Sequence, residues 1–315
     1  MKKAFIITID TEADNQWTSN DCETSNAIYL YRFQQLCERY NFKPVYLTDY
    51  AMGKSSEFVE WVREVQKKGN CEIGMHLHAW NTPPYYEEID KKIINRKPYI
   101  TEYDKYYVNE KIKSLTSVLN IAFDCEIYSH RAGRWSLDNQ YLSLLADNGY
   151  KIDCSVTPGI SWKKHKGFYD NSQGTDFVSY PEKEYLIGDK KDILEVPMTI
   201  KKIQIKNFKK INSARDFAKR IYNAFYGKDI WFRPSLSSEK EIMQLIDEKV
   251  RDKQNYVEFM MHSSEFMPGG SPYYKNEREI EELYEGLERI FDHVNDFFEG
   301  KTLKEFYDEY RVPKI

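Results

Sequence analysis

Apolar and polar positions along the first half of the chain fall into two alternating rhythms. Short apolar runs predict strands at residues 4–9 (AFIITI), 43–48 (KPVYLT), 71–76 (CEIGMH), 127–131 (IYSHR) and from 150 to 153 (YKID). Between them, apolar residues recur at three- and four-residue spacing, which predicts helices at 25–40, 55–68, 102–120 and 137–148. Ser55 or Ser56 suits an N-cap, and Gly69 and Gly149 suit helix ends. Strands separated by helices of this length are parallel βαβ units. More than four in a row imply an α/β barrel or an open doubly wound sheet.

The rhythm breaks at residues 157–192, which carry Gly, Pro, Asn and Ser with little periodicity and predict an irregular insertion. Strand patterns resume at 194–197 (LEVP), 231–234 (WFRP) and 256–261 (YVEFMM). A C-terminal helix follows, with Ile280, Leu283, Leu287, Ile290 and Val294 on one face, and a short last helix near 303–310. No repeat or linker divides the chain, so one domain spanning residues 1–315 is expected.

Polar residues at strand ends then stand out. In parallel α/β folds those ends share one face, where residues distant in sequence converge. Asp10 and Glu12 are two apart and point to one side of an extended chain. They suit a division of labour between cation binding and proton transfer, or a plain acidic loop or helix cap. His76 and His78 repeat the spacing, and paired histidines with one carboxylate form a common zinc set. Arg131 and Arg134 flank Gly133 at another strand exit, where an arginine could pair with Asp10 or meet an anionic substrate. His262 ends the YVEFMM strand and suits a general acid or a core histidine. His130, His165 and His293 have weaker contexts.

Composition narrows the function. With 46 basic and 50 acidic residues the net charge is -4, which offers no basic face for nucleic acid. Twenty-five Tyr, 17 Phe and 6 Trp supply platforms for sugar rings as well as core. The loop 80–86 (WNTPPYY) and the insertion are candidates to shape a sugar site. The five cysteines, Cys22, Cys37, Cys71, Cys125 and Cys154, are odd in number and lack a C-x-x-C, which fits a reducing, cytoplasmic compartment. The N-terminal apolar run is too short for a signal peptide, and no stretch is long enough for an integral membrane segment.

Taken in order, TIDTEAD, EIGMHLHAW, HRAGRW, IDCSVTP and MMHSSE resemble the motifs of the polysaccharide deacetylase family (NodB homology, carbohydrate esterase type 4). Within it they look most like deacetylases of lipopolysaccharide and capsule biosynthesis. The resemblance spans residues 4–265 and implies a distorted (β/α)7-type barrel that removes an N-acetyl group from a carbohydrate substrate. It implies Asp10 as catalytic base, Arg131 as the residue orienting it, His262 as general acid, and Asp153 as a hydrogen-bonding partner that tunes His262. It implies Glu12, His76 and His78 as ligands of a divalent metal, zinc in first place. Two departures stand out. Trp80 occupies the usual place of the second histidine, so His78 must substitute, and Asp-Thr-Glu replaces an adjacent Asp pair. Three other readings stay open: a carbohydrate-binding barrel without hydrolysis, a hydrolase of a non-sugar C–N bond, and a glycosidase using Asp10 and Glu12. The oligomeric state is left open.

Overall fold

The structure is a computed structural model that describes residues 3–14, 23–85, 97–204 and 227–311. Tyr86 of the predicted sugar loop and Cys22 lie outside the described residues.

The apolar runs form strands because they are buried on both faces, as parallel strands under helices must be. They are β1 (Lys3–Thr11), β2 (Pro44–Thr48), β3 (Glu72–Leu77), β4 (Ser129–Ala132) and β5 (Ile152–Asp153). After the insertion come β6 (Tyr185–Ile187), β7 (Ile193–Glu195), β8 (Ile200–Ile203), β9 (Lys228–Trp231), β10 (Tyr256–His262) and β11 (Phe298–Gly300). Helices α1 (Leu30–Arg39), α2 (Ser56–Lys67), α3 (Lys105–Phe123) and α4 (Asn139–Asp147) alternate with the first strands. Helices α5 (Glu239–Arg251), α6 (Glu277–Asn295) and α7 (Leu303–Arg311) follow.

The main sheet runs β10–β1–β2–β3–β4–β5–β7–β6, with β11 also on β1. All pairings are parallel except β6 with β7. The sheet curls, and single bonds beyond β7 close the gap to β10. Met198 N donates to Val156 O at 3.0 Å, Phe232 N to Thr199 O at 2.9 Å, and Met260 N to Phe232 O at 3.2 Å. The antiparallel β8–β9 pair thus replaces regular strands in the wall, and the fold is a distorted α/β barrel. Helix α7 lies at the strand-start end, where Lys304 N donates to Glu72 Oε2 and Ser129 Oγ donates to Glu72 Oε1.

Several elements differ from the sequence expectation. The helix expected at 25–40 opens as a 3-10 turn, Ser25–Tyr29, before α1. Helix α3 starts three residues late, because Asp104 caps it by accepting from Tyr107 N at 3.1 Å. The insertion at 157–192 is irregular as expected, with isolated bridges Ser161–Asp176 and Lys166–Gln173, but it ends in strand β6. The strand expected at 231–234 ends at Trp231, and α5, β8 and β11 were not foreseen.

Candidate active site

Side chains alternate between the two faces of a strand, and here one face meets helices and the other the barrel interior. On β1, Phe5, Ile7 and Ile9 pack under the helices. Ala4 and Ile6 face inward with Val45, Leu47, Ile152, Cys154, Leu194 and Val196. The same parity sends Asp10 on β1, His76 on β3, Arg131 on β4, and Glu258 and His262 on β10 to the interior. Register reinforces this: Asp10 lies opposite His262, and His76 opposite Arg131. Glu12 and His78 follow one residue beyond β1 and β3 on the same sides. The β1 and β10 exits are tied together by Glu12 N donating to Ser263 Oγ at 3.1 Å.

Asp10, Glu12, His76, His78, Arg131 and His262 therefore converge. Arg131 Nη1 donates to Asp10 Oδ1 at 2.7 Å, and its Nη2 donates to Glu258. Arg131 Nε donates to Cys154 O at 2.9 Å, so the guanidinium is locked below the floor of the site. The free Asp10 Oδ2 lies 3.8 Å from both His76 Nε2 and His262 Nε2. Glu12 Oε2 lies 2.7 Å from His78 Nε2 and 3.6 Å from His76 Nε2.

Burial alone would raise the Asp10 carboxyl. Arg131, His76 and His262 outweigh it and hold Asp10 below its ordinary value. Glu12 follows the same logic, with burial opposed by His262, His76 and His78. Burial would lower His76, but Asp10 and Glu12 outweigh it and raise it. His78 is pushed down to about 4 by burial and then by the charge of His76.

The donor chemistry fits a divalent cation. Glu12, His76 and His78 are buried and offer ligand atoms within 4.8 Å of one another. His76 Nδ1 donates to Arg131 O at 3.1 Å, so its tautomer is set and Nε2 presents a lone pair. Both Nε2 atoms address one carboxylate oxygen, and a buried carboxylate needs a compensating charge. His78 Nδ1 is buried without a hydrogen-bond partner, so apart from the Nε2 contact with Glu12 the ring is held by packing on His76 and Trp80.

Asp153 requires a correction. It does not hydrogen-bond His262 but His130, whose Nδ1 lies 2.6 Å from Asp153 Oδ1 and whose Nε2 meets the Tyr141 hydroxyl. Parity explains this. Asp153 and His130 are register partners on β5 and β4, on the helix-facing side, whereas His262 points inward. The groups beside His262 are Arg233 and Glu265: Arg233 Nη2 donates to His262 Nδ1 at 2.9 Å and to Glu265 Oε1 at 2.9 Å. Asp14, in the first acidic cluster, is a cap instead, accepting from Ser25 N and Asn26 N. Asp49, unremarked in the sequence, ties three strand exits by accepting from Ala13 N, Met52 N and Asn81 Nδ2. Its carboxyl is raised by burial to about 6.

Above these residues opens a cavity of about 490 Å³ walled by Trp80, Tyr99, Trp135, Trp162, Arg134 and Tyr273. Trp135 and Trp162 stack at 4.7 Å and 18°. Arg134 and Trp135 both take left-handed backbone angles, φ 56° and 51°, which turn the strand exit sharply beside the cavity. Trp80 and the insertion's Trp162 thus line the site, as the composition led one to expect of them.

No family model and no curated protein matches the chain. Among solved structures, it is similar to a proposed polysaccharide deacetylase from Mycobacterium smegmatis, at 12% identity and TM-score 0.58, covering 100% of this chain and 93% of that one. It is also similar to a 4-alpha-glucanotransferase from Thermococcus litoralis, at 12% identity and TM-score 0.56, covering 100% of this chain and 41% of that one. A GH57-type branching enzyme from Pyrococcus horikoshii gives 10% identity and TM-score 0.53, covering 99% and 71%. At these identities the likeness establishes a shared barrel fold. Sugar deacetylation and glucan transfer on one fold are told apart by the site, not the barrel.

Proposed function

We propose that this protein is a divalent-metal-dependent hydrolase that removes an N-acetyl group from a sugar. The observation that carries this is the adjacency of the Glu12–His76–His78 donor set to an arginine-held carboxylate, Asp10, with His262 across from it. The shared fold with the mycobacterial protein is in keeping with it. Glu12, His76 and His78 would hold the ion. Bound there, a divalent ion would polarise the acetyl carbonyl and acidify a water molecule.

The chain's own residues divide the remaining work. Arg131 occupies Asp10 Oδ1, leaving Oδ2 to take the proton of the attacking water. His262 Nε2, facing that oxygen from the opposite strand, supplies the proton to the departing nitrogen. An amine leaves poorly as an anion, so this proton is needed for the C–N bond to break. The tryptophan-walled cavity suits stacking on a pyranose ring. The glycosidase reading loses ground, because Asp10 and Glu12 are already engaged by Arg131 and the two histidines.

The likeness of the motifs to those of lipopolysaccharide and capsule deacetylases supports an amino sugar of surface polysaccharide or lipopolysaccharide as substrate. Free thiols at Cys37, Cys71, Cys125 and Cys154 are compatible with processing in the cytoplasm. Among the described residues no helix is long and apolar enough to cross a membrane.

The test is acetate release from a panel of N-acetylated sugars by metal-supplied protein. Release that is lost in Asp10→Asn supports the proposal. Sugar binding without acetate release from any member would favour the non-hydrolytic barrel, and release only from non-sugar amides would move the substrate class.

A further inference from the structure

His262 meets an unusual neighbour for a proton-handling histidine. Such rings commonly direct Nδ1–H at a carboxylate, which fixes the tautomer. Here the carboxylate of Glu265 stands 3.6 Å from His262 Nδ1, whereas Arg233 Nη2 stands at 2.9 Å. A guanidinium has only donors. His262 Nδ1 must therefore accept, and the ring hydrogen must sit on Nε2, the nitrogen directed at Asp10.

We propose that Arg233, anchored by Glu265, is the positioning residue of His262, and that together with the Glu265 backbone N–H, which also donates to the His262 side chain, it keeps the ring hydrogen on the nitrogen facing Asp10. The proposal rests on the reading of His262 as the proton-bearing group of the site.

The arrangement is built rather than incidental. Arg233 and Glu265 are both buried, at 2% and 0% exposure, where an unpaired charge would be costly. Glu265 uses both oxygens: Oε1 accepts from Arg233 Nη2 at 2.9 Å, and Oε2 accepts from the backbone N of His262 at 2.9 Å. One carboxylate thus fixes the histidine backbone and the guanidinium that addresses its ring. Arg233 Nε donates to Ser235 Oγ at 2.8 Å, which fixes the plane of the guanidinium. Its position comes from the wall of the barrel. Arg233 directly follows Phe232, whose carbonyl accepts from Met260 N on β10, two residues before His262. The β8–β9 pair that completes the wall therefore also delivers the arginine.

Removing the arginine should weaken the tautomer preference, because only the Glu265 backbone N–H would still donate to the ring. Glu265 would be left as a buried carboxylate without its cation, and a hydrogen on His262 Nδ1, 3.6 Å away, would partly replace it. The test is nitrogen NMR of histidine-labelled, zinc-loaded protein in mildly alkaline buffer, with the His262 signals identified by their loss in His262→Asn. In the parent protein His262 should show hydrogen on Nε2 and a bare Nδ1. In Arg233→Met a measurable share of the hydrogen should appear on Nδ1, and kcat for acetate release should fall about 10-fold with KM little changed. Arg233→Lys, which also only donates, should restore the parent tautomer and part of kcat. Hydrogen on Nδ1 in the parent protein would overturn the proposal, as would an unchanged tautomer in Arg233→Met. If the Met variant fails to fold, the parent and Lys spectra still decide. The tautomer is read without substrate, so absence of acetate release would strike the deacetylase reading alone.

Discussion

A Cβ on Gly133 would come within 2.7 Å of His78 Nδ1 and 2.8 Å of the Leu77 carbonyl oxygen. Only glycine lets the β4 exit lie this close to the candidate ligand ring. His78 Nδ1 has no hydrogen bond to hold it, so on that side packing sets the ring's position, while Nε2 meets Glu12 Oε2 at 2.7 Å. Gly133→Ala is therefore expected to weaken metal binding about 10-fold or more, the scale of losing a ligand's supporting contact, and a competition titration with a chelator would measure it. An unchanged affinity would mean that His78 is not a ligand or that the turn adapts freely. His262→Ala is expected to lower kcat for acetate release by about 100-fold or more while metal content stays intact. Normal turnover in that variant would remove His262 from proton transfer. Most of these residues were legible in the chain because strand-end Asp10, His76, Arg131 and His262 share a parity with the inward apolar positions. The same parity argued against Asp153, which falls between the inward-facing Ile152 and Cys154. Arg233 and Glu265 left no such trace, since nothing in the sequence reveals that the chain after β9 lies against β10.

The link between the β9 and β10 exits also governs acid stability. Burial would raise the Glu265 carboxyl, but the Arg233 guanidinium, with the hydrogen bond from the His262 backbone N–H, outweighs it and holds it at about 2, against an ordinary value of 4.5. A depressed carboxyl stabilises the folded state above its unfolded value, and that contribution is lost as pH falls through the folded value. Thermal unfolding should therefore show the protein losing stability between about 4.5 and about 2, with Glu265→Gln losing less over that window. Parallel pH profiles for the two would contradict the pairing. At this scale the βα units were readable because β1 to β4 are buried runs bounded by good helix signals. Helix α5 carried its own signal, Ile242, Leu245 and Ile246 behind a Ser238–Glu241 capping box, and could have been found. Strands β8 and β11 could not, being four and three residues long with charged residues among them. The late start of α3 follows from a cap at Asp104 that competes with an earlier helical pattern.

Across the whole molecule, the barrel gathers the strand ends on one rim and the irregular insertion supplies part of the wall above them. Trp162 comes from that insertion and stacks on Trp135 from the β4 exit. Its indole Nε1 donates to Thr157 Oγ1 at 2.9 Å, which holds the ring in place. Trp162→Ala is expected to raise KM for an N-acetyl sugar about 10-fold with kcat little changed, because it removes a stacking surface without touching the reacting atoms. A fall in kcat alone would place the ring in catalysis rather than binding. The barrel type was readable from the motif order, while the means of closing it, through the antiparallel β8–β9 pair, was not. The proposed chemistry depends on the donor set at the rim, and its most direct test is the metal content of protein supplied with divalent ions and then freed of excess, beside His78→Ala. Close to one zinc or other divalent ion per chain is expected, lost in the variant. A chain that stays metal-free after loading would contradict it and leave a sugar-binding barrel as the better description.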